Sequence, residues 1–154
     1  MRNVAGVIVG VSLILGVLGP GDAGAASTFA CDGPMTFTDP AENITGRLLA
    51  SDILVDPATS KLSGRVTWVG PDFLLAGSFD ADAQRTRAQF GGAMRSGAQP
   101  ILTRNFAFEG PPLPPDLAQG HALNGREVRQ AVVNNVLVTS SRQVTLTVDN
   151  CVDP

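Results

Sequence analysis

A single histidine, His121, stands in this 154-residue chain, so any Ser-His-Asp or Cys-His site would have to be built on it. No serine sits in a G-x-S-x-G elbow, the strained turn that lifts a nucleophile above a sheet. His121 follows Gly120 beyond a proline-rich segment, and it reads as a solvated loop side chain. The only two cysteines, Cys31 and Cys151, allow one intramolecular pairing, and their spacing excludes a redox C-x-x-C or a cysteine zinc site. Once bridged, neither supplies the thiolate that a cysteine nucleophile requires. No catalytic set assembles, and no cofactor is expected.

Carboxylates offer slightly more. Asp80 and Asp82 lie two apart in a turn, which places two oxygens within reach of a hard cation. Calcium takes about six to eight oxygen ligands, and no Asp/Asn/Gly loop completes the set. The pair therefore reads as turn caps, with a metal site as the weak alternative. Glu109, and Asp39 with Glu42, read the same way. One Trp and no Tyr leave no sugar-stacking platform for a two-carboxylate glycosidase. Gly91-Gly92 lacks the following Lys-Ser/Thr of a phosphate loop. Arg85 and Arg87, joined by Arg95 and Arg104, form a stripe that either docks an acidic partner or keeps a sheet face soluble. Asn43-Ile44-Thr45 is a glycosylation sequon, meaningful where that machinery exists.

The elements that must position these groups show period-2 patterning. Val144, Leu146 and Val148 alternate with threonines, and Arg85, Arg87 and Gln89 alternate with Thr86, Ala88 and Phe90. Phe73, Leu75, Gly77 and Phe79 face one way, and Leu74, Ala76 and Ser78 the other. A strand apolar on both sides at its start suits a covered position. Further strands are expected at Met35 to Thr38, Gly46 to Val55, Leu62 to Val69, Ile101 to Phe108 and Val128 to Val138. The stretch from Arg126 to Asn135 is acceptable as helix, but its β-branched run favours strand. Turns are expected at Asp56 to Lys61, Gly70 to Asp72, Asp80 to Asp82 and Thr139 to Arg142. Gly91 to Pro100 reads as a loop. Gly110 to Asp116 reads as an extended proline crossover, with one helical turn possible over Asp116 to Gly120.

The N-terminus indicates where the chain goes. Met1-Arg2-Asn3 precedes fifteen uncharged residues from Val4 to Leu18. As a helix these reach roughly 22 Å, short of the ~30 Å hydrocarbon core. Gly19-Pro20-Gly21 and the small residues Ala23-Gly24-Ala25 follow. Residues 1–25 therefore read as a cleavable secretory signal peptide, and residues 26–154 as a single domain. The expected location is secreted, periplasmic or cell-surface, where a Cys31–Cys151 bridge is permissible.

Composition closes off other classes. Hydrophobic residues make up 44% and charged residues 16%, which excludes a disordered chain. A net charge of −3 gives no support to nucleic-acid binding. A membrane barrel needs aromatic girdles and an apolar outer band that this chain lacks, so it is not expected to be an integral membrane protein after cleavage. The fold class expected is all-β, an antiparallel sandwich or closed barrel of about seven to nine short strands. The expected role is binding without catalysis, through loops at Gly91 to Gln99 and the proline segment, to a protein partner of unspecified identity. One rival is a barrel carrying a small apolar ligand in a cavity lined by Phe73, Phe79, Phe90, Phe106 and Phe108. The other is a structural subunit of a surface layer or fibre, joined by edge-strand pairing.

Overall fold

The computed structural model describes residues 27–38, 42–56, 58–94, 102–113 and 120–152. The signal-peptide reading of residues 1–25, together with Asp39, Arg95 and most of the helical turn considered at 116–120, lies outside them. Nine strands appear: β1 (Ser27–Asp32), β2 (Met35–Phe37), β3 (Arg47–Asp56), β4 (Lys61–Val69), β5 (Leu74–Ala81), β6 (Thr86–Met94), β7 (Leu102–Gly110), β8 (His121–Val133) and β9 (Val136–Val152). All belong to one antiparallel sheet, and no α-helix occurs among the described residues. None there is long and apolar enough to cross a membrane.

From β3 to β9 each strand pairs with the next, a meander. β1 pairs with β3 on one side and with the C-terminal part of β9 on the other. β2 continues along β9, with Met35 opposite Leu146 and Phe37 opposite Val144. Gly33 and Pro34 interrupt what would otherwise be a single strand. Their backbones stay satisfied, because Gly33 donates to the Gly46 carbonyl at 2.8 Å and Thr147 donates to the Pro34 carbonyl at 3.0 Å.

The alternation read from sequence is the alternation of burial. Val144, Leu146 and Val148 are buried, as are Leu75 and Phe79, whereas Gln89 faces out. The core gathers Met35, Leu48, Val66 and Trp68 with a cluster of phenylalanines. Phe90 lies 5.6 Å from Phe106 and 5.4 Å from Phe108, ring centre to ring centre, within the range where aromatic pairs add to simple burial. The Trp68 indole donates to the Gly33 carbonyl at 3.1 Å, so the one large polar ring in the core is satisfied.

Four expectations need correction. The segment from Val128 to Val138 is two strands that reverse at Asn134-Asn135, both at positive φ (51° and 63°). Thr139 to Arg142, read as a turn, is strand. Asn tolerates the left-handed region, and a two-residue hairpin loop of the twist-compatible kind demands that region twice. Leu74 is 60% exposed, so β5 is not covered on both faces. Gly91 to Met94 continue β6 and pair with Leu102 to Asn105, so this part of the expected loop is strand. β1 and the first half of β8 went unread, since Ser27–Asp32 and His121–Gly125 carry small or polar residues at the alternate positions.

Cys31 and Cys151 are bridged, as expected, with Cα atoms 4.0 Å apart. The bond joins β1 to β9 across a register shift, where Asn150 takes φ 47°.

Candidate functional site

The solvated-histidine reading of His121 does not hold. The residue opens β8 opposite Val148, is buried, and accepts or donates no bond through Nε2 among the described residues. Burial pulls the imidazole below its ordinary value, with a hydrogen bond to the Pro111 carbonyl opposing. No Ser or Asp completes a relay with it among the hydrogen bonds of the described residues.

Asp80 and Asp82 have separate tasks. Asp80 Oδ2 receives both Nε and Nη2 of Arg87, at 2.9 and 2.7 Å. Asp82 Oδ1 accepts from the backbones of Gln84 and Arg85, at 2.8 and 3.0 Å, and so caps the β5–β6 turn. Those bonds hold the Asp82 carboxyl below the usual range. No group of three His, Cys, Asp or Glu side chains gathers to hold a metal among the described residues. Glu109 pairs with Arg85 at 3.2 Å on the exposed surface.

The arginine stripe divides. Arg87 projects outward from β6, as the alternation implied, and Arg85, just before that strand, is exposed too. Arg104 projects inward, because on β7 it shares its side with Phe106 and Phe108. Its side chain is 6% exposed, its guanidinium lies 5.5, 5.5 and 5.3 Å from the ring centres of Phe37, Phe73 and Phe106, and its Nε donates to Glu127 Oε1. The aromatic faces favour the cation electrostatically.

Glu127 is the centre of a network that sequence reading missed. Fully buried on β8, it also receives Arg129 Nε at 3.1 Å on Oε1 and Arg142 Nε at 2.6 Å on Oε2. Glu42, on the connection between β2 and β3, takes the far ends of both: Arg129 Nη2 reaches it at 2.9 Å and Arg142 Nη2 bonds it directly. Arg142 also lies 4.0 Å over the Phe37 ring. Partial burial pushes the Glu42 carboxyl up, but the Arg142 bond and the two guanidinium charges outweigh it and hold the carboxyl down. For Arg142, burial works against the charge and the two glutamates restore it, with a net rise. Burial dominates at Arg104 and lowers it despite Glu127.

The same end of the sheet carries a second feature. Among the described residues, β7 pairs with β8 only as far as Leu102 opposite Ala131, and Val132 through Val138 pair within the β8–β9 hairpin alone. Val132, Val133, Val136, Leu137 and Val138 are 41, 48, 61, 63 and 47% exposed. From Val136 to Arg142, β9 has a ladder partner on its β8 side only, among the described residues. On the outer face of β5 to β8 lies a shallow open depression lined by Gly77 and Gly91. A Cβ on Gly77 would stand 1.8 Å from the Gln89 carbonyl oxygen, so only glycine fits that approach.

Comparison of the chain with protein-family models, with curated proteins and with solved structures finds no match.

Proposed function

We propose that this chain is exported and acts by binding rather than catalysis. With its leader removed, it is a closed eight-stranded barrel, β1 and β2 counting as one staved strand, that offers the β8–β9 hairpin to a protein partner. The observation that carries the reading is the hairpin itself. Five neighbouring aliphatic side chains are exposed on the β8–β9 ribbon, whereas soluble surfaces ordinarily keep such residues scattered. The ring of pairing from β1 through β9 and back to β1 supports closure, and an eight-strand barrel is of the size that side chains alone fill. Export is supported by the Cys31–Cys151 bridge, which is compatible with an oxidising compartment. The outward residues Gln89, Asn105, Asn124, Arg126 and Gln143 are polar, which favours water over lipid around the barrel.

Of the loop face read from sequence, 91–94 belong to β6 and 95–99 lie outside the described residues, so the binding assignment moves to the hairpin. The mutual packing of Phe90, Phe106 and Phe108 supports a filled interior over a carrier's cavity. A second reading, self-association through edge pairing, draws support from the β9 edge at Val136 to Arg142, which has no ladder partner on that side among the described residues.

A photo-crosslinking residue at Leu137, irradiated in the medium or periplasm where the protein accumulates, is expected to yield one discrete adduct with another protein. The same residue at Gln84, on the turn at the opposite end of the barrel, is expected to yield none. An adduct of twice the chain mass selects self-association. No adduct at Leu137, or the same adduct from both positions, overturns the hairpin assignment.

A further inference from the structure

The buried network around Glu127 is not electrically balanced. Arg104, Arg129 and Arg142 bring three guanidinium charges against the carboxylates of Glu42 and Glu127, which leaves one positive charge among the described residues. The surplus is not spread evenly. Arg129 and Arg142 each bond to both glutamates, whereas Arg104 bonds, among the described residues, to Glu127 alone. Its Nη2 is fully buried and has no hydrogen-bond partner among the described residues. Buried polar atoms in native proteins are nearly always satisfied, and a charged donor left alone is the costliest exception.

Glu127 does not supply the missing acceptor, because Arg104 meets its carboxylate through Nε and Nη2 stays without a partner. Phe37, Phe73 and Phe106 occupy the faces of the Arg104 guanidinium without accepting a hydrogen bond in its plane. Ile44, Phe73 and Leu113 add partly buried apolar surface around the same core. Glu42, on the β2–β3 connection, is the most exposed member of the network at 40% and forms its solvent side.

We propose that this end of the barrel is a binding site for a small organic monocarboxylate, its carboxylate taken by Arg104 Nη2 and its apolar body resting against Phe37 and Phe73. One negative charge matches the surplus, two coplanar oxygens match a guanidinium edge, and the phenylalanine lining favours an apolar body over a bare inorganic ion. The inference stands apart from the hairpin's role, since it uses different residues and predicts a different ligand.

Sodium butyrate titrated into the intact, disulfide-bonded protein, followed by calorimetry and by the arginine Nε signals in NMR, tests it. Saturable binding is expected, with sodium chloride and sodium sulfate at matched ionic strength giving no comparable saturation. R104Q, which neutralises the surplus and removes the orphaned donor, is expected to weaken butyrate binding at least tenfold. E42Q, which doubles the surplus, is expected to tighten it severalfold. Should R104Q not fold, the direction of the E42Q change decides. The proposal is overturned by the absence of saturation in the parent protein, by equal response to chloride, by R104Q binding as the parent does, or by E42Q failing to bind more tightly.

Discussion

Glu127 shows how much the worth of an ion pair depends on where it lies. It accepts bonds from three arginines with no exposure of its own, so its loss strands their charges in a region of low dielectric. Glu127→Ala is expected to lower the unfolding free energy by about 3–5 kcal/mol in urea titrations. Arg85→Ala, which breaks a half-exposed pair with Glu109, is expected to cost less than about 1 kcal/mol in the same assay. His121 adds a pH dependence of definite sign. Its folded value lies below the 6.5 of a free imidazole, so the unfolded chain binds the proton first and stability falls as pH drops below that value. Glu42 extends the trend, since a carboxyl held below 4.5 loses its contribution as pH falls further. Denaturation midpoints measured from pH 7.5 to 5 should fall in the parent protein and fall less in His121→Gln. Some of this was legible in the sequence. The sequence reading sets Arg104 in the exposed stripe, although its alternation with Phe106 and Phe108 places it on the buried side. What a strand pattern cannot show is the partner that makes an inward arginine tolerable, because Glu127 lies 23 residues away and meets it only through β7–β8 pairing.

At the scale of elements, the strand set was largely readable because one face of each strand is buried, and burial imposes a period of two. The turn between β8 and β9 was not, because Thr139-Ser140-Ser141-Arg142 is as polar as a turn yet pairs along its whole length with Glu127 to Gln130. The deciding quantity is backbone angle. Asn134 and Asn135 both hold φ above 50°, a region costly for branched side chains. Asn134→Val with Asn135→Val is therefore expected to destabilise by about 2–4 kcal/mol, taking roughly 1–2 per residue. Asn135→Gly is expected to leave the midpoint unchanged or to raise it. Thermal unfolding followed by circular dichroism separates the two. Should the hairpin prove to carry recognition, the valine variants would lose partner crosslinking along with stability, and Asn135→Gly would keep both.

For the whole molecule, the pairing is local except at one place. Neighbours in sequence are neighbours in the sheet from β3 to β9, and only the β1–β9 and β2–β9 contacts bring distant segments together. The single disulfide lies there, spanning 120 residues. In the chain-entropy account a loop of that length stabilises by about 4–5 kcal/mol at most, and measured bridges often contribute less. Cys31→Ser with Cys151→Ser is expected to lower stability by about 2–5 kcal/mol in guanidinium titrations, and the loss should appear equally on reduction of the parent protein. The bridge was readable from the count and compartment of the cysteines. The joining of all nine strands into one sheet was not, because alternation reports which side of a strand is buried and not which strands lie beside it.

The bridge also decides how the protein answers to pulling. β1 and β9 run antiparallel, with Ala30 opposite Val152, so both ends of the described chain leave from one side of the sheet while the Asn134-Asn135 tip lies at the far end of β9. Tension applied through the two ends meets Cys31 and Cys151 almost at once and passes through a covalent link. The residues between them bear none of the load. Pulled by both ends at once, the fold would keep β1 and β9 joined under a force that would peel apart an unlinked pair.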